Sequence, residues 1–441
     1  MQIHRPDREL RASVFRTHAP FTFGRRAPPL HNGGLTEHST LAPLRRGQYR
    51  SIWLTTLASY NGIWIQSVAA AWAMTLISDR AELVALVLSA STLPTPVMSL
   101  LGGALCDSWG RRPVYLLGQA SMLLGIVALA ALEFSGRTQP WSLLVLSFVV
   151  GCGNALRQPA AHASAGDLVP PSELPTAVTL NSISFNIARS LGPAVGGLLV
   201  SFCGVHVALA IAALLNVPAL PVLLRWKAPK PSQDARTEPL LRAIGTGIAY
   251  AVRERPILAV LVRCSCFTVL ASAVWALLPV IARDLVDGGA TTYGMLLGSI
   301  GVGALLCGVL LVGRLRQRLG SEGVAVLSYA LFALATLTPA LTSHLALIVP
   351  AFALGGAAWM STQTTCNVLV QRLAEPWVRS RAIALYLVAS FGALGLGGWA
   401  WGRLTDIYGI RTVLIIAGLL MAASTMLGRI VRLPALPASR A

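Results

Sequence analysis

The chain has 441 residues, of which 55% are hydrophobic and only 12% are charged, and its mean hydropathy is +0.66. This composition excludes an ordinary soluble domain, in which about a quarter of the residues are charged. The formal net charge of +18 would indicate a nucleic-acid partner only if the basic residues clustered on one folded surface. The chain distributes them differently, as described below.

Twelve apolar runs follow one another along the chain. Each is about 20 residues long, the length that a helix needs to cross a hydrocarbon core of about 30 Å. The runs are continuously apolar and lack the alternation of a membrane barrel, so helices are the spanning element that they suit. We predict an all-α integral membrane protein with twelve transmembrane helices, at residues 51–77, 81–105, 113–132, 141–163, 174–201, 205–224, 257–282, 293–313, 322–342, 345–367, 381–402 and 410–430.

Residues 1–47 precede the first span and contain many Arg residues but no long apolar run. They match neither a secretory signal peptide nor a membrane anchor. We predict a disordered cytoplasmic tail, with an organelle transit peptide and a misassigned start codon as open alternatives.

Basic residues concentrate on one side of the predicted membrane. With the N-terminus inside, the predicted cytoplasmic segments hold 27 of the 35 Lys and Arg residues, the outer loops hold five, and three lie within spans. This positive-inside pattern places both termini in the cytoplasm. It also accounts for the net charge, so no nucleic-acid partner is expected.

Residues 103 to 112 read Gly-Ala-Leu-Cys-Asp-Ser-Trp-Gly-Arg-Arg between two apolar runs, which predicts a tight loop at one membrane face. The pattern Gly-x-Leu-x-Asp-x-x-Gly-Arg-Arg resembles the loop between helices 2 and 3 of the major facilitator superfamily. The resemblance implies that Asp107 caps a helix of the other half and that the Arg pair joins a charge network closing the cytoplasmic side. An Arg pair that only anchors the topology is the alternative. The predicted cytoplasmic gate comprises Gly103, Asp107, Gly110, Arg111 and Arg112.

A longer resemblance lies between Gly151 and Gly204, where the chain includes Gly-Cys-Gly-Asn-Ala-Leu-Arg-Gln-Pro-Ala and Phe-Asn-Ile-Ala-Arg-Ser-Leu-Gly-Pro-Ala-Val-Gly-Gly. It is similar to the branch that includes the enterobactin exporter, macrolide efflux proteins and transmembrane secretion effectors. This implies a secondary active, proton-coupled exporter of a small organic molecule (drug, siderophore or metabolite), working by alternating access in the cytoplasmic membrane. An importer or lipid flippase on the same fold and a non-transporting membrane sensor or scaffold stay open as alternatives.

The fifth span contains the run Gly192-Pro193-Ala194-Val195-Gly196-Gly197, which resembles an exporter signature. The glycines remove side chains from one helix face, so that a neighbouring helix can approach closely. Pro193 removes one backbone donor and bends the helix. We predict a contact at which the halves pivot or seal, with plain small-residue packing as the alternative.

The two halves align without gaps at an offset of 205 residues, and Gly and Pro match at turn positions, as with Gly151 and Gly356 or Gly204 and Gly409. This favours a duplication, with six-helix halves at 48–225 and 257–430, a cytoplasmic linker at 226–256 and a cytoplasmic tail at 431–441. Such repeats place a substrate site near the membrane midplane, between the halves.

Three Arg residues lie within the predicted spans. A charge at the centre of a span costs about 2.5–3.5 kcal/mol on insertion scales, so each should face a partner or a wet cavity. Arg189 is the first candidate for function and Arg157 the second, while Arg263 lies near a span end and is expected to snorkel. With polar and aromatic neighbours, the predicted substrate pathway comprises Asn61, Trp64, Gln66, Asn154, Arg157, Asn186, Arg189, Arg263, Trp359, Gln363 and Asn367.

A cationic, aromatic cavity would suit an anionic or amphipathic aromatic solute, although the same Trp and amide side chains could simply pack helices. Protons are a candidate coupling ion, but the spans have no acid near their centres, and Ile63 follows Gly62 where relatives often carry an acidic or small polar residue. Coupling through an anionic substrate and facilitated diffusion therefore stay open. No motif indicates an enzyme, a cofactor or a metal, so the expected partners are the lipid bilayer and a small molecule, with the protein a monomer.

Overall fold

A computed structural model describes residues 41–228, 249–251, 253–375 and 378–434. Within these ranges the chain is helical, and we refer to residues 41–228 as the first half and to residues 249–434 as the second half. The first half contains α1 (Gly47–Ile77), α2 (Ala81–Thr92), α3 (Pro94–Trp109), α4 (Arg111–Phe134), α5 (Pro140–Leu168), α6 (Leu174–Asn216) and α7 (Ala219–Arg225). The second half contains α8 (Arg255–Val280), α9 (Ala290–Leu306), α10 (Val312–Leu341), α11 (Leu345–Leu373), α12 (Arg379–Tyr408) and α13 (Ile410–Ala423).

Nine helical stretches of the described residues are long and apolar enough to cross a membrane. One of them, Leu174–Arg225, covers two predicted spans, while α1 and the shorter apolar α9 correspond to two further predicted spans. The all-helical membrane fold is thus confirmed. The number of twelve crossings stays a prediction.

The chain reverses direction at single glycines between several consecutive helices. Gly110, Gly204, Gly320 and Gly409 all have positive φ, between 67° and 90°, a region that only glycine enters without steric cost. Gly204 and Gly409 are partners at the 205-residue offset, and their φ values of 84° and 81° agree. The sequence repeat therefore has a counterpart in the backbone at this pair.

Two predicted loops are wrong in their extent. Residues 103–109 belong to α3 and residues 111–112 to α4, so the predicted loop shrinks to Gly110. The basic segment after the eighth predicted span is also helical, up to the break at Gly320. The physical reason is that charged residues mark where the chain leaves the hydrocarbon core, whereas a helix can continue into water.

Equivalent glycines pack equivalent helices within each half. A Cβ on Gly151 of α5 would lie 2.5 Å from the carbonyl oxygen of Ser91 on α2, and one on Gly356 of α11 would overlap that of Ile300 on α9. One cluster of buried apolar residues then runs through both halves, including a stacked contact between Trp72 and Tyr293 at 6.3 Å. The halves thus share a common core.

The predicted tails and linker fall largely outside the described residues. Where they are described, Arg46 binds the carboxylate of Glu173 at 2.9 Å, and this hydrogen bond raises the pKa of Arg46 above its usual value. At the other end, the Leu433 amide donates to Glu322 at 2.8 Å. Parts of both predicted tails therefore pack against the helical body.

Candidate functional site

The halves meet closely where α6 of the first half crosses α9 of the second. A Cβ on Gly197 would lie 2.7 Å from the Ala290 carbonyl oxygen and 2.8 Å from Gly294 Cα. Further along, a Cβ on Gly301 would lie 2.7 Å from the Arg189 carbonyl oxygen. These positions have no room for a side chain, because atoms in ordinary contact lie about 3.5–4.0 Å apart.

The glycine motif of the fifth predicted span faces two neighbours. Gly192 and Gly196 lie against Trp64 and Ile65 of α1, in the same half, whereas Gly197 lies against α9 in the other half. This differs from the expectation of a single close neighbour, because 197 lies 100° around the helix from 196. Pro193 takes part in the second contact, through its carbonyl oxygen beside Gly294.

A carboxylate cap joins the halves at the face where α1 ends and α2 begins. Asp406 of α12 accepts hydrogen bonds from the backbone amides of Ala81 at 2.7 Å and Glu82 at 3.3 Å. These amides open α2, whose own N-cap residue, Arg80, makes no side-chain cap. A carboxylate at this position satisfies unpaired amides and interacts favourably with the helix dipole. The second half thus supplies the cap that α2 lacks.

The C-terminal end of α1 receives a cation from the second half at the same face. Arg283, just after α8, donates to the carbonyl oxygens of Thr75 at 3.1 Å and Ser78 at 3.4 Å. The dipole favours a cation at a helix C-terminus. The short turn between α1 and α2 is therefore held by side chains of opposite charge, each at the helix end that suits it.

A third set of contacts involves the carboxylate of Glu82. It accepts a hydrogen bond from Trp399 Nε1 at 3.1 Å and pairs with Arg403 at 3.3 Å. Both partners lie on α12, so this carboxylate also ties the halves together. We call the group that closes this face the α1–α2 latch, and it consists of Glu82, Arg283, Trp399, Arg403 and Asp406.

An Asp406→Asn variant is expected to open the α1–α2 face. The amide keeps an acceptor but loses the charge, and helix-end charges are worth about 0.3–1 kcal/mol, up to ~2 kcal/mol when partly buried. We expect about a two- to tenfold population shift toward the state open at this face. Spin labels at Trp141→Cys and Leu341→Cys, in a variant without the seven native cysteines, would measure the distance across it. An unchanged distance distribution in the Asp406→Asn protein would refute the capping role.

The opposite face, where α3 ends and α4 begins, carries the predicted cytoplasmic gate. Asp107 is exposed and forms no hydrogen bond or ion pair with the described residues. Arg111 binds Asp167 and the Ala163 carbonyl, and Arg112 binds the carbonyls of Leu223 and Leu224, all in the first half. A Cβ on Gly103 would meet no atom within 4 Å. Among the described residues, Asp107, Arg111 and Arg112 therefore make no hydrogen bond or ion pair with the second half, and the gate role of this motif stays a prediction.

Arg157 on α5 is a buried cation that pairs with no carboxylate of the described residues. The residue is 1% exposed, and its Nε and Nη2 have no hydrogen-bond partner within the described part of the chain. The guanidinium lies over the Tyr60 ring of α1, 5.4 Å from the centroid. A cation–π contact is worth roughly 0.5–2 kcal/mol, whereas the effective cost of burying an ion is several kcal/mol. The ring alone therefore does not compensate the charge.

Arg189 on α6 is related to this group by its spacing from Phe185 along the helix. Tyr60 makes an edge contact with Phe185 at 5.4 Å, and Phe185 lies one turn before Arg189 on the same helix face. Arg189 Nη2 is buried without a partner. None of the ion pairs among the described residues includes Arg157 or Arg189. We call Tyr60, Arg157, Phe185 and Arg189 the cationic wall.

Arg263 on α8 is placed differently, although the sequence makes it look similar. Its side chain is 1% exposed, pairs with Glu322 at 3.0 Å and lies 4.9 Å from the centroid of the Tyr329 ring. Its Nη1 also donates to the Ser424 carbonyl at 3.4 Å. The expectation that Arg263 snorkels is wrong, because a carboxylate 59 residues away compensates it inside the protein. Its assignment to the substrate pathway has no support from this geometry.

An Arg263→Gln variant is expected to lose stability. It leaves Glu322 without its cation, and breaking a buried pair costs about 3–5 kcal/mol. Because the Glu322 side chain is 22% exposed, we expect a smaller loss of about 2 kcal/mol. Thermal unfolding in detergent would measure it, with Arg137→Gln at the surface as control. An unfolding temperature equal to that of the wild type would contradict the pairing.

The second half offers an aromatic and polar group on α11. Trp359 contacts Trp275 at 5.2 Å and Phe267 at 6.0 Å between ring centroids. One turn on, Gln363 accepts a bond from Cys264 at 3.3 Å and donates to Ser390 at 2.7 Å. Asn367, a turn further, accepts from Gln371. Trp359, Gln363 and Asn367 are all partly exposed on one face of α11, as their four-residue spacing predicts.

The remaining predicted pathway residues lie on the first half. Asn61 and Asn186 each donate to a carbonyl four residues earlier in their own helix, at 2.9 and 2.8 Å. Gln66 is buried and Trp64 packs against Gly192. Asn154 Oδ1 is buried without a partner, one turn before Arg157. Asn154 thus brings a buried acceptor, unpaired among the described residues, to the neighbourhood of Arg157.

Sequence reasoning missed several residues that the structure brings into the site. Tyr60 and Trp275 complete the aromatic surroundings of Arg157 and Trp359. A buried network also links Gln119 to the Asn216 carbonyl and side chain at 3.2 Å each. Polar residues inside apolar runs could have identified Gln119 and Asn216, whereas nothing in the sequence marks Tyr60 apart from other tyrosines.

The described residues form a polytopic, all-helical membrane protein, and its fold is that of the major facilitator type. Among solved structures, the nucleoside transporter NupG covers 86% of this chain and 98% of its own at a TM-score of 0.67 and 14% identity. A bacterial homolog of the human lysosomal transporter Spinster, inward-facing and unoccupied, covers 88% of this chain and 96% of its own. Its TM-score is 0.65 and its sequence identity is 14%. At such identities the likeness shows the fold alone.

The sequence comparisons give the family. The model of the transmembrane secretion effector family matches residues 38–441, so the chain belongs to that family. The staphyloferrin A transporter of Staphylococcus aureus is 22% identical over 83% of this chain and 92% of its own. The multidrug efflux pump Tap of Mycobacterium tuberculosis is 24% identical over 89% of this chain and 94% of its own. The predicted branch of the superfamily is thereby confirmed.

Proposed function

We propose that this protein exports small anionic aromatic molecules by alternating access. The observation that carries the proposal is the cationic wall, where Arg157 is buried with two guanidinium nitrogens unpaired. An anion that accepts hydrogen bonds from these donors would supply the missing counter-charge, and charge-assisted bonds of this kind are the strong ones. The partly exposed Trp359 face of α11 offers a surface for the aromatic part of the substrate.

Export is the direction favoured by one of the relatives, the multidrug efflux pump Tap. The positive-inside pattern supports cytoplasmic termini in the cytoplasmic membrane, which makes the α1–α2 latch the outer gate. The present conformation is then closed to the outside. Its cytoplasmic face, with Asp107 exposed, is where a substrate from the cell would enter. On this assignment the protein is a transporter and not an enzyme.

Energised everted membrane vesicles would test the proposal, because export from the cell becomes uptake into the vesicle. The probes are 1-naphthalenesulfonate and the matched cation 1-naphthylmethylammonium, which share one ring system and differ in charge. We expect the sulfonate to accumulate at least about tenfold faster than in vesicles without the protein, and the cation to show no such difference. Equal uptake of both probes would refute the anion preference, and uptake of neither would refute the proposal as a whole.

A further inference from the structure

We propose that the membrane potential, acting on the charge of the exported anion, drives transport without an obligatory proton. This inference rests on the proposed function, because it takes the substrate to be an anion bound at the cationic wall. It addresses the energy source, which neither the family nor the solved structures define.

The first argument is the charge of the binding site. Arg157 and Arg189 have unpaired donors, and no described carboxylate pairs with either. A carboxylate paired with one of these cations could take up a proton when the substrate takes its place, which would couple transport to a proton, and no described residue forms such a pair. Here the substrate itself has to provide the negative charge that neutralises the two Arg side chains.

The second argument is the placement of the membrane-associated acids. Glu82 and Asp406 belong to the latch, Glu322 compensates Arg263, and Asp167 binds Arg111. Glu133 accepts a bond from Thr138 just after α4. Each of these carboxylates lies near a helix end and already has a protein partner. Their protonation could alter gating, but none of them forms an ion pair with Arg157 or Arg189. The titratable group beside the wall is His162, five residues after Arg157 on α5 and close enough to interact electrostatically with it. A second positive charge next to an uncompensated cation is unfavourable, so His162 is not a ready carrier of a proton there.

The third argument is the balance of charge over one cycle. The charges of the protein return to their starting positions, so the net charge moved equals that of the substrate. A potential of 100 mV, negative inside, is worth about 2.3 kcal/mol per charge, which corresponds to a concentration ratio of about fiftyfold. This favours the exit of an anion. The potential alone can therefore sustain export of a monoanion against a substantial gradient.

Purified full-length protein in liposomes would test this, with 1-naphthalenesulfonate initially equal on both sides. Valinomycin and a tenfold potassium gradient, high inside, make the interior negative. At equilibrium a monoanion uniporter makes the outside-to-inside ratio of the probe equal to the inside-to-outside ratio of potassium. We therefore expect a tenfold higher probe concentration outside. When the potassium gradient is reversed, we expect a tenfold higher concentration inside. This ratio does not depend on the orientation of the protein in the bilayer. Protein-free liposomes serve as control.

A second arm applies a pH gradient of one unit with equal potassium on both sides, which holds the potential at zero. We expect no redistribution of the probe. Redistribution in this arm, or tracer exchange that ignores the potassium gradient, would overturn the potential-driven mechanism and leave the anion exporter intact. No movement of the sulfonate in either arm or in tracer exchange would overturn the proposed function together with this inference.

Discussion

An Arg157→Gln variant is expected to lose at least about thirtyfold of its transport of 1-naphthalenesulfonate while its thermal stability stays equal or rises. Removing one partner of a buried charge pair costs about 2–5 kcal/mol of binding free energy. The described residues give Arg157 no such pair, and two of its donors are unpaired among them. Replacing an uncompensated buried cation by a neutral side chain therefore removes the desolvation cost of burying its charge. Loss of function with a gain in stability is typical of a strained functional residue.

The control is the Arg263→Gln variant, which changes a cation that is equally buried but paired with Glu322. It is expected to show the opposite pattern, with lower stability and a transport rate per folded molecule that changes little. Uptake into vesicles and thermal unfolding in detergent would be measured for both proteins. If Arg157→Gln unfolds at a lower temperature than the wild type and still transports the sulfonate, Arg157 is a structural residue.

A Gly197→Val variant is expected to lose at least about tenfold in transport rate. Its Cβ would lie 2.7 Å from the Ala290 carbonyl oxygen, so α6 and α9 would have to separate. Overpacking of this kind costs about 1–3 kcal/mol. This cost destabilises the conformation that is closed at the α1–α2 face, because α6 and α9 are in contact in that conformation. The variant should therefore spend more time open at that face.

The matched control for this glycine is Gly392→Val on α12, where a Cβ would meet no atom within 4 Å. Its transport is expected to stay within about twofold of the wild type. The rate of sulfonate exchange in liposomes and the distance between labels at positions 141 and 341 would be measured for both variants. Equal rates for Gly197→Val and the wild type would show that the close contact is dispensable.

Hydropathy predicted where helices lie but not where they end. The apolar runs correspond to helices throughout the described residues, since apolar length reflects the thickness of the bilayer. The reversal predicted at residues 103–112 is confined to Gly110, and the helical Arg segment before Gly320 was missed. A charged residue signals exit from the hydrocarbon core, whereas the end of a helix is set by a local backbone conformation.

The candidate site shows a different limit. Arg157 and Arg263 look alike in the sequence, as single cations in apolar runs. What separates them is Glu322, a partner 59 residues from Arg263, which only the fold brings near. The latch is a stronger case, because Asp406 caps the Ala81 amide, which is 325 residues away in the sequence. Sequence spacing along one helix can suggest a shared face, as it did for Trp359 and Gln363, but it cannot supply contacts between distant helices.

Equilibrium binding of 1-naphthalenesulfonate to the purified protein tests the central claim most directly. The wild type would be compared with Arg157→Gln and Arg189→Ala, and the sulfonate with the neutral naphthalene-1-sulfonamide. The cationic wall predicts that the wild type binds the sulfonate at least about tenfold more tightly than the sulfonamide, and that either variant abolishes this difference. Equal affinity of the wild type for the two compounds, or a preference that survives both substitutions, would contradict an anion site at Arg157 and Arg189.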